Sequence, residues 1–220
     1  MGKVTWRCFV KIRVTRTIVF EIIMGIGILA IIFNIGSIVL GQANFNGHKE
    51  SGLTYNEVYA IPQNPTVLQK DLYESLSDEL NLQAADQINV ADLVVKNFIA
   101  DYYTWTNKSG SYDVGGLTFI VNHSFLLLME SSRLGFYKDL DAFMLNYGKD
   151  QLIEVASITT NTMYSANFTF LEEEYLAYYV EAEWTYVPRE DFPEDKFQMR
   201  AAFTVIDYNG VMQIAQFYAW

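Results

Sequence analysis

A chain of 220 residues has room for one domain of ordinary size and a short additional segment. Apolar residues make up 51% and aromatics 15%, a composition that excludes a disordered or low-complexity chain. The formal charge of -11 is unevenly placed, since residues 1–16 hold five bases and no acid while residues 41–220 hold ten bases and twenty-five acids. A part at -15 offers phosphate no basic surface, so direct nucleic-acid binding is not expected of it. The single cysteine, Cys8, lies among the N-terminal bases, so the remainder has no disulfide and no thiolate metal site.

Residues 17–40, TIVFEIIMGIGILAIIFNIGSIVL, are almost wholly apolar. A bilayer core needs about 20 helical residues, and this run meets that length with some tilt. The bases flank its N-terminal side alone, which predicts a single-pass anchor with the N-terminus cytoplasmic and the C-terminal part outside. A cleaved signal peptide is the rival, but its apolar region would run only about 7–15 residues. Glu21 lies near the cytoplasmic edge and can reach water or pair with Arg16 or Lys11. Residues 1–16 are then a cytoplasmic tail, and the polar, aperiodic residues 41–64 a tether.

Beyond the tether the pattern is helical. Asn64-Pro65 is a plausible helix start, and Leu68, Leu72, Leu76 and Leu80 recur at helical spacing to about Leu82. Asp86 or Asn89 opens a second helix, whose stripe of Val90, Leu93, Val94, Phe98 and Tyr102 runs to about Thr106. The segment NKSGSYDVGG reads as a loop. A third helical region covers about 117–130, and a shorter helix follows over 134–146 after a break at Ser131-Ser132.

After Gly148 the vocabulary changes to Val, Ile, Thr, Tyr, Phe and Trp, which predicts strands over 150–160, 164–170, 175–187, 196–207 and 211–219. Leu176, Tyr178, Val180, Ala182, Trp184 and Tyr186 share one face, with Tyr175, Ala177, Tyr179, Glu181 and Glu183 on the other. Asn209-Gly210 between two apolar runs predicts a tight hairpin, and VPREDFPED a longer, exposed one. Helices followed by an antiparallel meander define an α+β domain over 65–220, with about three helices on one face of a curved antiparallel sheet.

A tail, one membrane helix, a tether, three helices and a terminal antiparallel sheet together resemble the bitopic scaffold subunit of type IV secretion and conjugation systems. The outer domain of that family has the cone-shaped, nuclear-transport-factor-like fold. VADLVVKNFIADYYTW looks like its long first helix, and LLLMESSRLGFYKDLDAFM like the helices that follow. The strands EYLAYYVEAEWTYV and KFQMRAAFTVIDYNG match its sheet hairpin in order and length. The resemblance implies a non-enzymatic assembly subunit in the bacterial cytoplasmic membrane, without cofactor, that forms homo-oligomers and binds other secretion-channel subunits.

The cone fold also hosts small-molecule enzymes, so a domain that binds or converts a small apolar ligand is the alternative. General acid–base work there needs an inward His and a carboxylate. Only His48, in the tether, and His123, in the third helical region, exist, and two histidines so far apart make no zinc site. The acids around Glu190 and Asp191 show no calcium-loop spacing and read as a solvated loop that could steer a basic partner. Tyr175, Tyr179, Phe217, Tyr218 and Trp220 are more aromatic than one core face needs, and with Glu190 and Asp191 they are the candidate interface residues.

Overall fold

The computed structural model describes residues 58–220 except Asp191, and only the backbone at Met163 and Tyr164. The expected cytoplasmic tail, the membrane segment at 17–40 and the tether up to residue 57 lie outside the described residues. Among the described residues no helix is long and apolar enough to cross a membrane.

Helix α1 spans Val67–Leu80 and begins on a capping box: the Gln69 amide donates to Thr66 Oγ1 (3.3 Å) and the Thr66 amide to Gln69 Oε1 (2.8 Å). Helix α2, Gln87–Tyr102, is capped by Asp86, which accepts from the Ile88 amide at 3.0 Å. Both starts lie close to the positions the sequence suggests. Helix α2 is buried over most of its circumference because α1 packs on one side and the sheet on the other. Two buried amides join the helices: Gln69 Nε2 donates to the Ala100 carbonyl (2.9 Å) and Asn97 Nδ2 to that of Leu72 (3.0 Å). The packed body begins ahead of the expected domain start, because Tyr59 is only 1% exposed and stacks on Phe119 at 5.1 Å.

Helix α3 covers Asn122–Leu134 and α4 covers Leu140–Tyr147. The expected break at Ser131-Ser132 is instead helix interior. Ser132 is buried and its hydroxyl lies 2.8 Å from that of Tyr102, so the core partner keeps the turn helical. The chain leaves the helix at Gly135.

The sheet is a four-stranded antiparallel meander in the order β1 (Val155–Phe170), β2 (Glu173–Tyr186), β3 (Arg200–Tyr208), β4 (Val211–Ala219). The two strands expected over 150–160 and 164–170 are one strand, carried through a register shift between Thr162 and Tyr164. Residues 149–151 form a 3-10 turn before it. Asn209 and Gly210 both take positive φ (57° and 83°), as the turn dipeptide predicts. Leu171 and Glu172 do the same (51° and 68°), so β1 and β2 are also joined by a two-residue turn, built without glycine or asparagine.

The helix-side face of the sheet carries Tyr178, Val180, Ala182, Trp184 and Tyr186 of β2 with Ala201, Phe203 and Val205 of β3, and these belong to the main core. The expected exposed loop between β2 and β3 is pinned from within: Phe192 is buried, with ring centroids 5.1 Å from Tyr147 and 5.4 Å from Phe143. Burying a Phe side chain stabilises by about 1.5–3 kcal/mol, enough to hold a loop crowded with like charges.

Candidate functional site: the open sheet face and its free edge

The face turned away from the helices divides into an apolar and a polar half. Near the two tight turns, Ala177, Ile206 and Ala215 are buried together with Val121, and Phe168, Phe170, Tyr175, Tyr179 and Tyr208 pack around them. Val121 reaches this face because its amide donates to the Ile214 carbonyl (3.1 Å), laying residues 120–121 along part of the β4 edge. The rings of Phe170, Tyr175 and Tyr208 lie 5.8–6.4 Å apart in edge-on and tilted pairs. The Tyr175 hydroxyl donates to Glu173 at 2.8 Å, and that carboxylate pushes the phenol up to about 12.

Toward the opposite end, Glu181, Glu183, Arg200, Thr159, Asn161 and Trp220 line a shallow groove of about 250 Å³. Arg200 pairs with Glu183 across β2 and β3 at 2.9 Å, with both side chains solvent-exposed, so the pair contributes little stability. Trp220 is 59% exposed on the groove wall and Tyr218, also exposed, donates to Gln216 Oε1 (3.1 Å).

The candidate interface residues are therefore not one patch. Tyr175 and Tyr179 belong to the apolar half, and Tyr218 and Trp220 to the polar end. Phe217 faces the helices, 5.2 Å from Phe98 and 5.6 Å from Phe203, as a core ring. Glu190 is exposed on the loop between β2 and β3, beside Arg189, which reaches Glu154 at 3.4 Å. Asp191 and His48 lie outside the described residues.

The space between helices and sheet is filled by rings. Phe98 stacks on Tyr102 at 5.1 Å, Tyr102 on Phe136 at 5.4 Å, and Tyr103 meets Trp184 at 4.4 Å. Burial pushes the Tyr102 phenol up to about 12 and raises Tyr59, Tyr103, Tyr137 and Tyr186 as well. At neutral pH these hydroxyls stay protonated and act as fixed hydrogen-bonding groups. Tyr137, for example, donates to the Tyr102 carbonyl (2.6 Å) and accepts from the Gly115 amide (3.1 Å).

His123 is exposed in the first turn of α3, edge-on to Phe170 at 6.1 Å. Farther along the same helix Leu126, Leu127 and Leu134 are exposed as well. Among the described residues no group of three or more His, Cys, Asp or Glu could hold a metal ion.

Sequence reasoning passed over two features. One is the buried ion pair of Lys108 with Asp101, whose members stand seven residues apart across a helix end. The other is the outer edge of β1. From Val155 to Leu171 the chain has no charged residue, which is visible in the sequence, but only the strand order reveals that this run is an edge.

The described residues define an α+β domain with four helices packed on an antiparallel sheet. No family model matches the chain, and no curated protein or solved structure matches it either.

Proposed function

We propose that this chain is a non-enzymatic, membrane-anchored scaffold and assembly subunit of a type IV secretion or conjugative DNA-transfer channel. The helix at 17–40 holds it in the bacterial cytoplasmic membrane, the N-terminus is cytoplasmic, and the nuclear-transport-factor-like domain works outside. It acts by associating with itself and by binding other channel subunits. The observation that carries this reading is the aromatic packing between helices and sheet, where the rings of Phe98, Tyr102, Phe136, Phe203 and Phe217 lie against one another with centroids 5.1–5.6 Å apart. The features left to the surface are an open sheet face, exposed leucines on α3 and an uncharged strand edge, which are contact features rather than reaction features.

The alternative, a domain that binds or converts a small apolar ligand, needs a cavity that reaches His123. Its position on the exposed turn of α3 favours the scaffold. The test is deletion of the gene in its own host, scored by DNA transfer or protein export. Loss restored equally by the full chain and by its His123→Ala variant is the expected result. Unchanged transfer and export in the deletion strain contradict the proposal.

A further inference from the structure

Edge strands expose a row of unpaired amides and carbonyls, and folded domains normally guard them with charged residues or proline. Here the charges lie on the inside. The central strand β2 carries Glu173, Glu174, Glu181 and Glu183, and β3 carries Arg200 and Asp207. The two outer strands, β1 and β4, carry no charged residue and no proline. The β4 edge is partly occupied by residues 120–121 at Ile214. The β1 edge is not: among the described residues, the backbone of β1 from Ser157 to Phe170 pairs with β2 alone.

We infer that the outer edge of β1 is where a second copy of this chain adds, antiparallel, to form a continuous eight-stranded sheet. The inference deepens the self-association proposed above and rests on it. Charge selects the occupant. Residues 58–220 carry nine bases and twenty-three acids, so two copies repel unless they meet where charge is sparse. In a β1–β1 contact the two rows of β2 glutamates stand three strand spacings apart, about 14 Å at about 4.8 Å each. That exceeds the screening length of about 8 Å at physiological salt. The ion pair that the helix layer brings nearest, Asp92 with Lys96 at 2.7 Å, is neutral overall. A basic peptide, by contrast, finds no acid on this strand to meet.

The register shift at 162–164 makes full-length self-pairing possible. Before it, Ser157, Thr159 and Asn161 lie opposite Thr185, Glu183 and Glu181 on the open face. After it, Ala166, Phe168 and Phe170 lie opposite Ala177, Tyr175 and Glu173 on that same face. Open-face residues are thus odd-numbered below the shift and even-numbered above it. An antiparallel two-fold pairing of Ser157 with Phe170, Thr159 with Phe168 and Asn161 with Ala166 keeps each of these six side chains on its own face. In an unbroken strand that overlap would set the two faces against each other. Both bulges then meet at the two-fold axis.

The test uses the full chain in mild detergent with Cys8→Ser as background. Asn161→Cys with Ala166→Cys is expected to give an interchain disulfide on mild oxidation. Asn161→Cys with Ser165→Cys, on opposite faces, is expected not to. Asn161→Lys places a lysine opposite Glu181 within the chain, so folding is retained, and it is expected to weaken dimerisation at least tenfold by sedimentation. An oligomer that survives Asn161→Lys and gives no 161–166 cross-link overturns the edge assignment but leaves self-association standing. A monomer at every concentration, with an unchanged circular-dichroism spectrum, overturns both.

Discussion

The ammonium of Lys108 is buried against the carboxylate of Asp101, whose other oxygen accepts the Gly116 amide at 2.6 Å. The loop that follows α2 therefore closes back onto the last turn of that helix through one charge pair. A Cβ at Gly115 would come within 2.7 Å of the Lys108 nitrogen and closer still to the Asp101 carbonyl, so glycine is required there by space. Removing one partner strands a buried charge, and Asp101→Ala is expected to cost about 3–5 kcal/mol in urea unfolding. Lys108→Met is expected to cost less, because Asp101, 14% exposed, can then turn toward water. Equal losses below about 1 kcal/mol would show that the pair does not hold the loop.

At the β1–β2 turn, Leu171 and Glu172 both occupy the left-handed region, where a branched or long side chain crowds the backbone. Replacing them with Asn-Gly, the pair already used at 209–210, is expected to stabilise the domain by about 1 kcal/mol. The urea midpoint reads this directly. A fall in the midpoint would mean that the Leu171 side chain contributes more by packing than it costs in conformation.

Alkali is expected to unfold the domain cooperatively. Tyr59, Tyr102, Tyr103, Tyr137 and Tyr186 are all raised above the ordinary phenol value near 10, each chiefly by burial. Between pH 10 and the folded-state values, the unfolded chain has lost protons that the folded chain keeps, so stability falls as pH rises. Below pH 10 the contribution is fully present. Each such phenol adds about 1.4 kcal/mol per pH unit to the slope. Tyrosinate absorbance and circular dichroism are expected to change together above pH 10, and Tyr137→Phe to reduce the slope by about one proton. Tyrosine ionisation well ahead of unfolding would contradict the buried assignment.

Gln69 combines three contacts: its side-chain oxygen accepts the Thr66 amide and Asn107 Nδ2, each at 2.8 Å, and its nitrogen donates to Ala100. Gln69→Ala removes a capping box and leaves the buried Ala100 carbonyl unpaired, so a loss of about 2–3 kcal/mol is expected. Leu126→Ala on exposed α3 is the comparison, with a change within about 0.5 kcal/mol by the same unfolding measurement.

The start of α2 was legible because capping is local and Asp86 stands at its opening, whereas α1 was expected from Asn64-Pro65 and its Thr66–Gln69 capping box, equally local, went unread. The alternation of β2 was legible because one of its faces is buried from Tyr178 to Tyr186, although Leu176 at the near end of that face is exposed. The false break at Ser131-Ser132 had a distant cause, since the Tyr102 hydroxyl thirty residues away satisfies Ser132. The β1–β2 turn was hidden because Leu and Glu are not turn residues, and the tertiary sheet imposes their φ values. The candidate interface scattered for a similar reason. Aromatic count does not say which face a ring takes, and Phe217 went to the core while Tyr218 stayed outside.

The most direct measurement of the scaffold proposal is affinity purification of the tagged full chain from its own host in mild detergent, with quantitative mass spectrometry of what accompanies it. A channel ATPase and further membrane subunits of one secretion machine, recovered in comparable molar amounts, are the expected result. Recovery of the chain alone, from cells in which that machine is assembled and active, would contradict it.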